Sequence, residues 1–171
     1  MKKLFLSLFL MPLLASAQMA YDIEEGHPTE VNGIEYGFEI RNERKKDVKD
    51  ETFNRFEITV YATNKSGCTK LMFPRQTVFG TEYQEVIAQY DCLNATGKRL
   101  TSKSGTVKAK EFSVPYTTTI RNSEGKDVSN TVRVRAGNVF RNGESITENF
   151  IVIIPDGERP RMKVRIKEII E

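Results

Sequence analysis

The sequence contains no tryptophan and a single histidine, His27. One imidazole rules out histidine-rich zinc sites by count. It leaves one candidate for serine- or cysteine-based catalysis, which needs a positioned histidine. His27 stands within Glu24-Glu25-Gly26-His27-Pro28, a polar stretch that reads as an exposed tail. The missing tryptophan argues against an immunoglobulin domain proper, which packs a buried Trp beside an inter-sheet disulfide. Cysteine is scarce too. Cys68 and Cys92 are the only two, and neither has a CxxC partner, so no thiol metal centre is expected. Glycines are scattered singly and form no phosphate-cradling loop. The acidic clusters at residues 47–51 and 156–158 lack the alternating oxygen ligands of a calcium loop. No cofactor is expected.

What the sequence does have begins at residue 2. Lys2 and Lys3 precede an apolar run over residues 4–14, followed by Ala15-Ser16-Ala17. A short basic start, a short apolar stretch and small residues at the cleavage positions describe a secretory signal peptide. The run is shorter than the roughly 20 apolar residues of a membrane helix, and no later stretch exceeds the length of a strand. Cleavage is expected between Ala17 and Gln18, giving a protein secreted or held in the periplasm of a bacterium. The full chain has 26 basic and 23 acidic side chains, a net charge of +3. Two of the basic ones are Lys2 and Lys3, so the exported chain is nearly neutral and carries no bulk signal for nucleic acid. In an exported protein, an even cysteine pair points to a disulfide between Cys68 and Cys92. Its loop of about 25 residues would add on the order of 3 kcal/mol.

Strand patterns fill the remainder. Ile34, Tyr36, Phe38 and Ile40 alternate with polar residues after the turn pair Asn32-Gly33, and Phe56, Ile58, Val60 and Ala62 repeat the period of two. Residues 116–121 and 131–136 flank a turn at 122–126, and residues 139–141 and 146–154 flank Asn142-Gly143, which predicts a tight type I′ hairpin. Met162, Val164 and Ile166 alternate with Arg161, Lys163, Arg165 and Lys167 in a last strand. About nine strands with regular turns predict an all-β fold, an antiparallel β-sandwich that is immunoglobulin-like in architecture only. Residues 18–31 read as a flexible N-terminal segment and 32–171 as one domain. The charged stretch at 41–54 and the segment at 94–105, with Ser104-Gly105, read as exposed loops that could carry function.

Two surface features stand out. Arg161, Lys163, Arg165 and Lys167 share one face of the last strand, and Arg133 and Arg135 share a face of another. If those strands were neighbours, six cations would form a stripe able to attract an acidic protein or a polysaccharide. Against this, charges on a terminal edge strand also block aggregation. Tyr83, Tyr90, Tyr116 and Phe140 read as core aromatics rather than a ligand platform. Glutamate pairs such as Glu35 and Glu39, Glu82 and Glu85, or Glu144 and Glu148 read as solvated strand faces, leaving a small carboxylate-dependent hydrolase as the weakest reading. The leading expectation is a non-enzymatic exported module that binds a protein or glycan in the envelope or outside the cell. The alternative is a structural subunit of a surface or secretion assembly, self-associating through an open edge such as residues 146–154. Mass spectrometry of the exported protein is expected to place its N-terminus at Gln18; a mature chain retaining Met1 would remove the signal-peptide reading.

Overall fold

The computed structural model describes residues 19–49, 51–94, 96–167 and 169; the predicted signal peptide lies outside them. Thirteen strands and no helix occur among the described residues. In chain order they are β1 (Met19–Ile23), β2 (Thr29–Val31), β3 (Ile34–Val48), β4 (Glu51–Asn64), β5 (Lys70–Met72), β6 (Arg75–Thr77), β7 (Gly80–Glu82), β8 (Val86–Leu93), β9 (Arg99–Lys108), β10 (Lys110–Arg121), β11 (Asp127–Phe140), β12 (Ser145–Pro155) and β13 (Arg161–Ile166). The pairing is antiparallel throughout. Two four-stranded sheets run β1-β13-β8-β9 and β12-β4-β3-β2; a three-stranded sheet runs β10-β11-β5, and β6-β7 is a small hairpin.

The alternation read from sequence is the alternation of burial. Tyr36 and Phe38 of β3, Phe56, Ile58, Val60 and Ala62 of β4, and Met162, Val164 and Ile166 of β13 all point into one buried cluster, to which both four-stranded sheets contribute. The two inner faces meet directly. Tyr90 of β8 donates its hydroxyl to the carbonyl oxygen of Tyr61 in β4. Gly105 of β9 lies so close to β4 and β12 that a Cβ there would stand 2.8 Å from a methyl of Val60 and 2.9 Å from the ring of Phe150. Gly105 is thus a point of close approach inside a strand, not the loop signal its sequence context suggested.

Several other expectations are corrected. Of the expected loop at 41–54, residues 41–48 and 51–54 are strand: they form the outer arms of the β3–β4 hairpin, paired from Asn42↔Glu57 to Val48↔Glu51. Residues 43–48 are exposed on both faces, so no apolar period marks that arm as a strand. Most of the expected loop at 94–105 is strand β9; the real turn is short, with Asn94 Oδ1 accepting bonds from the backbone of Thr96 and Lys98. The expected flexible segment at 18–31 contains β1, paired along its length with β13, and β2. Asn32-Gly33 forms the anticipated tight turn, with φ of 52° and 71°. Asn142-Gly143 does not close a hairpin, because β11 and β12 belong to different sheets. A type I′ turn needs positive φ at both residues, and here Gly143 alone has it, at 74°.

The structure leaves both cysteines free, Cys68 exposed and Cys92 buried. They sit toward opposite ends of the core. Cys92 pairs with Met162, whereas Cys68 follows Asn64, which pairs with Ile34, and Ile34 shares a pocket with Met19 and Ile166. Cys92 belongs to the buried cluster while Cys68 is exposed beyond β4, so the two side chains do not meet. Burial pushes the Cys92 thiol up to about 12. A thiol-reactive probe is therefore expected to label one cysteine in the folded protein and two after denaturation, whereas no labelling in either state would mean that a bridge forms.

Candidate interaction surface

Strands β10 and β11 form a ribbon that runs well beyond the sheet it starts from. At its base β11 is flanked by β5, but only at Asn138, Val139 and Phe140. The register slips between Phe112 and Ser113, leaving Ala136 as an extra residue in β11. This bulge and Gly137 mark the point of departure: a Cβ on Gly137 would lie 2.4 Å from the carbonyl oxygen of Met72. From Ser113 and Arg135 outward, among the described strands each strand of the ribbon pairs only with the other. The tip is a five-residue turn. Asn122 Oδ1 accepts from the backbone of Glu124 and Lys126, and Gly125 takes a φ of 76°.

The ribbon has two unlike faces, because side chains alternate along each strand. One carries the cross-strand pairs Val114·Val134, Tyr116·Val132, Thr118·Asn130 and Ile120·Val128. Its six apolar side chains are between 38% and 63% exposed. Phe112 continues this face toward the base and meets Phe73 edge to face at 6.2 Å. The other face carries Pro115·Arg133, Thr117·Thr131, Thr119·Ser129 and Arg121·Asp127. Hydroxyl contacts of 2.8 Å between Thr117 and Thr131 and 3.2 Å between Thr119 and Ser129 tie it together. Val78 and Phe79, at the turn of the β6–β7 hairpin, are almost fully exposed.

Tyr116 had read as core; it is exposed on the ribbon, while Tyr90 and Phe140 are fully buried as expected. Tyr83 is half-buried, its ring 4.0 Å from the Arg135 guanidinium.

The six basic residues do not form one stripe. Arg133 and Arg135 lie on β11, and Arg161, Lys163 and Arg165 on β13, with Lys167 just beyond its end; β11 and β13 are in different sheets. Nor is β13 an edge strand, since β1 and β8 flank it. Three of the six face carboxylates. Arg165 lies 2.6 Å from Asp91 and Lys163 3.5 Å from Asp22. Arg135 lies 3.6 Å from Glu85 and 3.5 Å from Glu111. The Glu85 carboxyl is held below its usual range, chiefly by the hydrogen bond from Lys108. Asp91 is the pivot of this charge pattern. It is buried on the β8 rung beside Lys163, between Arg165 and Arg99, the latter at 2.9 Å.

The glutamates that had been paired by sequence are also engaged separately. Glu35 meets Lys65, Glu39 meets Arg41 at 3.0 Å and Glu144 meets Lys110. A surface cleft of about 720 Å³ lies along β12 and β4, lined by Arg41, Glu57, Thr59, Glu148 and Asn149 among others. Its polar groups largely satisfy one another: Thr59 donates to Asn149 Oδ1 at 2.6 Å, and Arg41 Nε donates to Thr59 at 3.4 Å. His27 is exposed, with Nδ1 3.2 Å from the Glu25 carbonyl oxygen. Among the described residues no group of three histidine, cysteine, aspartate or glutamate side chains is placed to hold a metal ion.

Comparison of the chain with protein-family models, with curated proteins and with solved structures found no match. The ribbon is therefore read from its own chemistry. The Asp91 cluster generates a stability prediction. Removing a buried carboxylate strands its cations, so Asp91→Ala is expected to cost about 2 kcal/mol, discounted for the partial exposure of both arginines. Lys163→Gln, at an exposed pair, is expected to cost roughly 0.5 kcal/mol or less. Urea unfolding of both variants checks this; equal effects would deny Asp91 its central role.

Proposed function

We propose that this chain is an exported, non-enzymatic β-sandwich protein that binds a protein in the cell envelope or outside the cell through the apolar face of the β10–β11 ribbon. One observation carries the reading: six apolar side chains share a face that no described strand covers. Apolar patches of several hundred Å² on a protein surface mark interaction sites. The opposed inner faces of the two four-stranded sheets support the sandwich architecture, and the basic start and short apolar run of residues 2–17 support export. A glycan partner is less well supported, since Arg135, Lys163 and Arg165 each already face a carboxylate.

The reading as a subunit of a surface or secretion assembly draws on a different observation. Strands β10 and β12 each stand at the end of a sheet order, and a free strand edge can pair with another chain.

The test uses the chain beginning at Gln18, immobilised and exposed to an envelope fraction of its own cell, alongside Val132→Lys. The substituted side chain is exposed, so the fold should survive, as circular dichroism would show. A protein retained by the original chain and lost with Val132→Lys is the expected outcome. Retention unaffected by the substitution would move the binding surface away from the ribbon.

A further inference from the structure

We propose that the partner of the ribbon is a second copy of this chain, packed face to face in antiparallel orientation with the Thr118·Asn130 pair on the two-fold axis. The proposal rests on the ribbon-docking reading above and names its occupant.

The first argument is shape. The ribbon face is a two-stranded surface about 20 Å long from Val114 to Ile120. The natural complement of a twisted strand surface is another twisted strand surface, packed about 10 Å away with strands nearly aligned. A second copy supplies that surface.

The second argument is pattern. From base to tip, the pairs on this face are apolar at 114·134, apolar at 116·132, polar at 118·130 and apolar at 120·128. Turning a second ribbon about the Thr118·Asn130 pair places Ile120·Val128 of one copy on Tyr116·Val132 of the other. The polar pair then meets its own duplicate, so the Thr118 hydroxyl and the Asn130 amide find donors and acceptors. Against a wholly apolar partner they would be buried without them, at a cost in stability. A buried polar pair of this kind fixes register and orientation.

Charge agrees. None of the eight residues in these four pairs is an Asp, Glu, Lys, Arg or His, whereas Arg121, Arg133 and Asp127 lie on the opposite face, so this face brings no like charges together. The edge of β10 is the poorer alternative: Pro115 supplies no N–H for a joining strand. Orientation follows from the body of the protein. Antiparallel ribbons send the two bodies to opposite ends of the contact, whereas parallel ribbons would force them side by side at the base.

The area sets the strength. Six half-exposed side chains amount to about 450 Å² per copy, or about 900 Å² for the pair. Specific stable interfaces bury about 1,200–2,000 Å², so the dimer is expected to be reversible and concentration-dependent.

Sedimentation velocity of the chain from Gln18, over a wide range of concentrations, is expected to show a monomer–dimer equilibrium. Val132→Lys should weaken it at least tenfold, and Thr131→Lys, on the opposite face, should leave it unchanged. Orientation is read by oxidation in a Cys68→Ser background. Tyr116→Cys mixed with Ile120→Cys should give a mixed cross-linked dimer, and neither alone should cross-link efficiently. A monomer at every concentration, a dimer indifferent to Val132→Lys, or cross-linking of each variant with itself would overturn the proposal. Should the chain stay monomeric while Val132→Lys still abolishes retention of an envelope protein, self-pairing fails and ribbon docking stands. If both assays are negative, both readings fall.

Discussion

A strand surface that is apolar on one side must be covered, and the architecture follows from how that demand is met. The two four-stranded sheets meet it with each other. Their inner faces share the cluster around Tyr36, Phe38, Phe56, Val60, Tyr90 and Met162. Where the sheets come closest, at Gly105 against Val60 and Phe150, the sequence gives up a side chain altogether. The Tyr90 hydroxyl, which enters the core, finds a partner at the Tyr61 carbonyl. The same demand is left unmet along β10 and β11. Their outer pairs keep the alternation of a half-buried sheet, and among the described residues no strand covers their apolar side chains, which remain exposed.

Charge follows a complementary logic. The outer face of the β1-β13-β8-β9 sheet carries cations from β13 and β9, and the carboxylate that holds them comes from the strand between, at Asp91. Arg135 is secured in a comparable way, by Glu85, by Glu111 and by the ring of Tyr83. Cations arranged like this stabilise the junctions between strands.

Much of the fold was legible because period-two patterning is a direct consequence of strand geometry. The alternating residues of β3, β4 and β13 read correctly, as did the Asn32-Gly33 turn and the 122–126 turn. Three things were hidden. A paired strand exposed on both faces leaves no apolar period, so the 43–48 arm of β3 looked like a loop. A glycine signals either a turn or a close approach, and only packing distinguishes them, as Gly105 shows. Strand order is invisible to local pattern, so the Asn142-Gly143 turn looked like a hairpin although it carries the chain from one sheet to another. The ribbon face illustrates the same limit. Val114, Tyr116, Ile120, Val128, Val132 and Val134 announce an apolar face, but alternation cannot say what covers it, and Tyr116 was read as core for that reason.

The pairing of β1 with β13 sets the order of events as the chain folds. Met19 pairs with Ile166, so the first described strand closes its sheet with the last. The β10–β11 ribbon, by contrast, pairs neighbours across a five-residue turn. Local pairings of that kind form early, whereas contacts between distant parts of a chain carry a large loop-closure entropy and form late. A chain appearing N-terminus first must therefore hold β1 unpaired until almost its whole length has emerged. In the last part of that interval, once Phe140 has emerged, the ribbon can pair while the sheet that β1 and β13 complete cannot.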